Sequence, residues 1–338
     1  MRGRGFESTR ILLLLAFFVL GLGGFALGDV GILSRANLTS MAVFAVEIGI
    51  VALGQTFVIC GGEGGIDLSV GAIAALAQVF LGLMLVAHMP WPLAVAIALA
   101  SGVAMGGVNA LAITRFTIPP IIVTLATMFA FNGLALVFTG GINIDLTAMP
   151  PSFLALGQGS AFGLPVQLAV IYLPLLLLFA FLQHFGRFGR ALYLAGTSEL
   201  AARLAGIRTT ELRGWTYVIS GLLSSLAGVI GAARLGTARP DAAEQMNLVS
   251  IAIVVLGGTG IFGGDGSVIG TAVATAVIAV VDYGLSYNNI NPIYQAGVMG
   301  IILITLVLVE NMLRGRGGLR QVWSYWARAI SRDPLQDS

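Results

Sequence analysis

Ten apolar runs of membrane-spanning length follow one another along this chain, separated by short polar segments. They lie near residues 11–28, 39–59, 68–87, 91–113, 119–139, 164–184, 214–233, 248–264, 267–287 and 292–311. Each is close to the ~20 residues that a helix needs to cross a bilayer. A mean hydropathy of +0.96 and 9% charged residues leave too little polar surface for a water-soluble domain of 338 residues. The bilayer is therefore the solvent. A helix satisfies its own backbone there, and the alternating ~10-residue segments of a barrel are absent. The expected fold class is all-α: a polytopic membrane protein of about ten transmembrane helices in a single domain, 1–338.

Ten spans put both termini on one side. Arg2, Arg4, Arg10, Arg115, Arg187, Arg190, Arg203, Arg208, Arg213, Arg314, Arg316, Arg320, Arg328 and Arg332 then share that side, and Arg35, Arg234 and Arg239 fall opposite. The positive-inside rule makes the termini cytoplasmic. Residues 1–10 and 312–338 become cytoplasmic ends around a transmembrane core, 11–311. No small-residue cleavage site clearly follows the first run, so Ile11–Gly28 reads as a retained helix rather than a signal peptide. The tail carries Trp323, Tyr325 and Trp326 among arginines. It suits a segment lying along the membrane, or equally a solvated tail with an interfacial anchor.

Several functions are excluded early. The one cysteine, Cys60, allows no internal disulfide. His88 and His184 are too few for a His/Cys metal site. All 17 basic residues are arginine, and a phosphate-binding P-loop needs its lysine. The chain is not expected to hydrolyse ATP, to be an enzyme or to hold a cofactor.

Two glycine-rich segments interrupt the apolar pattern. The first is Gly61-Gly62-Glu63-Gly64-Gly65-Ile66-Asp67-Leu68-Ser69-Val70-Gly71. Glycine permits φ > 0 and close approach of other backbone, and Asp67 or Ser69 is placed to cap the next helix. A capped helix break and a broken helix lining a solute path both fit. The second segment runs from Gly257 to Gly270, with Gly264 and Asp265 at its centre, and hints at internal duplication. Gly258, Gly260 and Gly263 also fit G-x-G-x-x-G after a strand-like run, Ser250–Leu256. The run that follows, Val268 to Val281, lacks the polar face of a helix in a soluble dinucleotide-binding unit.

Ionisable groups inside spans are costly and usually have a reason. Glu47 is the clearest, with Gln55 two turns later; Asp282 and Glu310 sit near span ends. Asn109, Thr124, Thr127 and Asn132 add neutral polar groups to the middle spans. Such residues serve as interhelical glue or line a pathway. No pair among them suggests a proton relay.

The longest polar connection, roughly Gln183 to Arg213, holds a short helix with its own signals. Ser198 is a good N-cap, and Glu199 in the first turn suits the helix dipole. Leu200 and Leu204 fall on one face. Gly206 is suited to an αL stop, with Thr209 or Thr210 capping the following helix. The apolar face is too small for a membrane anchor and fits a groove on a soluble partner. An ordinary structured loop is the other reading of the same residues.

Residues Glu199–Ile207 resemble the coupling-helix loop of bacterial ABC importer permeases, specifically the ribose-type sugar permeases, which include autoinducer-2, rhamnose, xylose and galactose systems. Gly64–Gly71, Pro119–Leu125, Leu256–Thr259 and Gly264–Thr271 resemble the same family, and the likeness spans about residues 40–310. The family usually has asparagine where this chain has Ser198; both cap helices. The resemblance implies ten transmembrane helices, a dimeric pore and a location in the bacterial inner membrane. It places residues 185–213 in the cytoplasm as the coupling loop. It also implies ABC ATPase subunits, a periplasmic sugar-binding protein and a second permease copy or sister permease as partners, with no nucleic acid among them. Ser198, Glu199, Leu200, Ala201, Arg203, Leu204 and Gly206 are the expected ATPase-coupling residues. Glu47, Gln55, Gly64, Gly65, Asp67, Asn109, Thr124, Asn132, Gly264 and Asp265 are the candidates for the translocation path. The competing classes are an ion-coupled secondary transporter, for which Glu47 alone qualifies as a mid-membrane group, and an intramembrane enzyme, for which no nucleophile–base pair is present.

Overall fold

The computed structural model describes residues 3–241 and 245–291, and beyond them residues 294–295, 297–298, 300–301 and 304–305. By its contacts the chain divides into residues 1–289 and 290–338. The described part of the first unit is predominantly helical: α1 (Gly3–Gly28), α2 (Arg35–Cys60), α3 (Val70–Val86), α4 (Trp91–Arg115), α5 (Pro120–Thr139), α6 (Pro151–Gln158), α7 (Leu173–His184), α8 (Arg187–Thr197), α9 (Glu199–Leu204), α10 (Thr209–Leu235), α11 (Met246–Leu256) and α12 (Val268–Tyr287). Two antiparallel ladders of two residues per strand, 144–145 with 237–238 and 160–161 with 164–165, are the described departures from all-α.

Among the described residues, seven helical stretches are long and apolar enough to cross a membrane: Arg10–Gly28, Arg35–Cys60, Trp91–Arg115, Pro120–Thr139, Gln167–His184, Thr209–Leu235 and Val268–Tyr287. Val70–Val86 is a shorter apolar helix. The run expected to span at 248–264 is not one continuous helix. Its helix, α11, is 11 residues long and ends at Leu256, a rise of about 16 Å against a ~30 Å hydrocarbon core. Glycines 257, 258, 260 and 263 follow, with φ +107° at Gly258, and helix cannot continue through that conformation. The strand-like reading of Ser250–Leu256 is likewise replaced by helix. The run at 292–311 lies largely outside the described residues, of which the eight within it are helical. Glu310 and the tail from 312 lie wholly outside them.

The run at 164–184 begins as π-helix, Gln167–Tyr172, before α7. Pro174 lacks an N–H and its ring crowds the carbonyl four residues back, so the turn before it widens.

α10 is the central helix, packed along α2, α3 and α4. Small residues make this possible. A Cβ on Gly221 would strike the Gly102 carbonyl oxygen, and one on Gly106 would strike the Tyr217 carbonyl. Gly102 and Gly106 of α4 thus face Tyr217, Gly221 and Ser225 of α10, a small-residue seam of the kind that packs helices in lipid, where no hydrophobic force drives them together. On another side Gly228 meets Ala74 of α3. The α8–α9 hairpin lies at the Thr209 end of α10, and Arg234 lies at the other end.

Candidate functional site

The hairpin folds as its caps dictate. Ser198 has extended backbone and its Oγ accepts from the Ala201 N–H at 3.2 Å. At the other end Gly206 takes φ +78°. Its N–H donates to Arg203 O, and Ile207 N–H donates to Ala202 O, both at 3.0 Å. This is a Schellman stop, with Ala202 and Ile207 supplying its apolar contact inside the core. The expected threonine cap is not made. Thr209 is already helical, and its hydroxyl donates to Glu199 Oε1 at 3.1 Å. Arg203 pairs with Glu199 one turn away and donates from Nε to Thr209. Burial raises the Glu199 pKa. Donors Thr209 and Arg203 and the charges of Arg213 and Arg203 outweigh that and hold the carboxyl below its ordinary range.

Leu200 and Leu204 face outward, 71% and 81% exposed, beside exposed Ala201. Six residues thus present two leucines to solvent on a polar, self-capped frame.

Beneath the hairpin the two glycine segments meet. Gly264 N–H donates to Cys60 O at 3.0 Å. Gly62, Glu63 and Gly64 all have positive φ, as do Gly263 and Gly264. A Cβ on Gly196, in α8, would strike Cys60 O and Gly264 N; one on Gly263 would strike Gly62. Thr197 Oγ1 lies 3.4 Å from Gly264 O. Tyr193 OH donates to Gly266 O at 2.5 Å, and Gln183 Oε1 accepts from Val268 N at 2.8 Å. The joint is also bridged by charge. Arg213 Nη1 lies 2.6 Å from Glu63 Oε2, and Nη2 lies 3.6 Å from Glu199 Oε2.

Asp67 is not a helix cap. Its Oδ1 accepts from the N–H and hydroxyl of Ser69, at 2.9 and 2.6 Å, and its Oδ2 accepts from Ser220 Oγ of α10 at 2.8 Å. Ser69 makes no side-chain cap either. The N-terminus of α3 is served from across the fold by Asn247 of α11, whose Oδ1 accepts from Gly71 N at 2.7 Å. The network continues from Asn109 Nδ2 to Ser69 Oγ, and from Thr127 Oγ1 to Asn109 Oδ1. Thr124 Oγ1 reaches Ile66 O at 3.3 Å. Asp67 thus ties the first glycine segment to α10, while Ser69 and the Ile66 carbonyl tie it to α4 and α5. Asp265 does not cap α12, because Ser267 does, accepting from Gly270 N at 3.1 Å.

The family model described as "Branched-chain amino acid transport system / permease component" matches residues 37–307. The chain belongs to this permease family. It is 40% identical over 263 residues to the ribose import permease protein RbsC of Bacillus subtilis, covering 78% of this chain and 81% of that one. It is 35% identical over 264 residues to RbsC of Escherichia coli K12, with the same coverage. With the autoinducer 2 import system permease protein LsrD of Yersinia enterocolitica it shares 33% over 305 residues, 89% of this chain and 91% of that one. No solved structure matches the chain.

The chain is thus a multi-pass membrane permease subunit of an ABC importer, and the ATPase is a separate subunit. Permeases of this kind work in general with ATPase and binding-protein partners. The site candidates sort by position within that frame. Ser198–Gly206, Gly64, Gly65 and Gly264 gather around the joint, with Asp67, Asn109 and Thr124 in the adjoining network. Glu47 does not join them: it sits 6% exposed on α2 and binds Arg234 of α10 with both carboxylate oxygens, Nη2 lying 3.2 Å from Oε2. Gln55 is fully buried, with neither polar atom partnered among the described residues. Asn132 is partly buried on α5 and joins none of these networks. Sequence reasoning missed Glu63, Arg213, Ser220, Arg234 and Asn247. An acid inside a glycine run and an arginine ending a polar connection were the available signals for the first two; nothing local marked the others.

Proposed function

We propose that this subunit carries a sugar or sugar-like solute, received from a periplasmic binding protein, through a pore formed with a second permease copy or a sister permease. Docking on the ATPase rests on α9. Leu200, Ala201 and Leu204 form the contact, and Glu199 and Arg203 its polar rim. Ser198 and Gly206 hold the helix in shape. The exposed leucine pair on a self-capped helix carries this reading, because a helix this short cannot hold an apolar face in water for its own stability. The joint beneath, through Gly64, Gly65, Gly264 and the Asp67 network, passes movement to the membrane helices. Ten membrane segments, one of them only the short α11 followed by its glycine break, and cytoplasmic termini fit the arrangement, since Arg115, at the end of α4, and the hairpin arginines belong to one end of α10 while Arg234 belongs to the other. The sugar comes from the ribose and autoinducer-2 permeases it is similar to.

The test is uptake into proteoliposomes holding the permease, its ATPase and the loaded binding protein. D-Ribose uptake that needs ATP supports the reading. Uptake of leucine in place of any sugar would move the solute to the amino acids of the family description. Uptake without ATP that follows an ion gradient would move the chain to the secondary transporters.

A further inference from the structure

At the end of α10 away from the hairpin, a cavity of ≈ 260 Å³ opens between α2, α3, α10 and α11. Phe44, Glu47, Gln78, Arg234, Arg239 and Met246 are among its lining. Its charges are already balanced: Glu47 holds Arg234, and Asp241 holds Arg239 with Oδ1 3.2 Å from Nε. Among the described residues an anion would find no spare cation, and a cation no spare carboxylate. What is left over is neutral polarity. Gln78 is 3% exposed, its Oε1 accepts weakly from Arg239 N–H at 3.4 Å, and its Nε2 has no partner among the described residues. Gln78 lines the cavity and its amide nitrogen is not sealed off from it, so a polar group inside the cavity can meet that donor. The Phe44 ring, with the Arg234 guanidinium 5.2 Å from its centroid, gives the wall an apolar face beside charged hydrogen-bonding groups.

We propose that this cavity is a solute-recognition site within the permease, taking a neutral polyhydroxylated molecule, with Gln78 Nε2 as the donor that awaits a hydroxyl. Paired carboxylate and guanidinium groups offer acceptors and donors together, which suits hydroxyls that both give and accept. The volume lies just below the usual ligand-pocket range of about 300–1,000 Å³ and suits a solute of monosaccharide size. The inference rests on the importer reading in one respect: the hairpin, turned to the ATPase, puts the cavity on the side where the binding protein delivers.

The experiment uses the same proteoliposomes, with D-ribose as probe, and reads two quantities: ATPase stimulation by loaded binding protein, and sugar moved per ATP hydrolysed. Gln78→Leu keeps the volume and removes the donor. It is expected to lower sugar moved per ATP about tenfold, the worth of roughly one hydrogen bond, while stimulation stays near wild type. If Gln78→Leu does not assemble with the ATPase, Gln78→Asn, which withdraws the amide by one methylene, is read instead and should lower the same ratio. An unchanged ratio in the assembling variant means that the cavity holds water alone and overturns the proposal. Wild-type vesicles that move no sugar at all would overturn the importer reading, and this inference with it.

Discussion

Arg213, near the start of α10, holds Glu63 of the first glycine segment, with Nη1 2.6 Å from Oε2. Its second terminal nitrogen faces Glu199 of α9. The guanidinium side chain is 13% exposed, so solvent screens it less than an ordinary surface pair. One cation thereby ties α9 to the backbone break that leads into α3.

Arg213→Gln should break that tie while sparing the outward face of α9. A hydrogen bond to a charged group contributes about 1.5–3 kcal/mol, and the half-exposed Glu63 places this one at the low end. The expected outcome is a permease that still co-purifies with its ATPase but answers loaded binding protein with weaker ATPase stimulation. Wild-type stimulation would show the bridge to be ornamental.

Leu204→Asp should damage docking more than Arg203→Ala. Burying a leucine in a partner's groove is worth about 1.5–3 kcal/mol, whereas the Arg203–Glu199 pair is a one-turn contact whose arginine is 61% exposed. Co-purification with the ATPase measures both, and equal loss in the two variants would move the contact off the leucine face.

Gly206→Val and Gly206→Asn separate conformation from packing. A Cβ at Gly206 meets nothing within 4 Å, so its φ of +78° is the whole constraint. Valine should lower ATPase binding clearly, and asparagine, which tolerates αL, much less. At Gly264 the order changes: a Cβ there runs into the backbone of Thr197, so Gly264→Ala should already abolish uptake. Gly64→Ala, with positive φ but open space, should be the milder of the two alanine variants.

The depressed pKa of Glu199 gives a pH signature. A carboxylate held below its unfolded value of about 4.3 adds stability at neutral pH. That contribution is intact above the unfolded value and is lost as pH falls through the folded one. Hydrogen exchange of residues 199–213 should therefore keep its protection, corrected for intrinsic rates, down to about pH 4.3 and lose it progressively below. In Glu199→Gln that acid-dependent loss should disappear.

The hairpin was legible because its determinants are local: Ser198, Glu199 and Gly206 act on backbone within a few residues. Span positions were legible because hydropathy is a sum over neighbours. The failures share another cause. Asn247 caps α3, Arg234 neutralises Glu47 and Ser220 bonds Asp67 across 176, 187 and 153 positions of chain respectively. Periodicity carries no trace of such partners. The apolar run at 248–264 misled for a related reason: hydropathy counts Ile261 and Phe262 as span, while the glycines around them had already turned the chain.

Where Gly62, Gly196, Gly263 and Gly264 come together, three stretches of main chain touch with nothing between them. Packed surfaces ordinarily absorb a small displacement by letting side chains change rotamer. This contact has no rotamers to change, so a shift in one stretch meets no slack and reaches the others at full amplitude, like gear teeth cut without backlash. A stroke delivered from below would be transmitted here by geometry alone, whatever the polarity of the solute above.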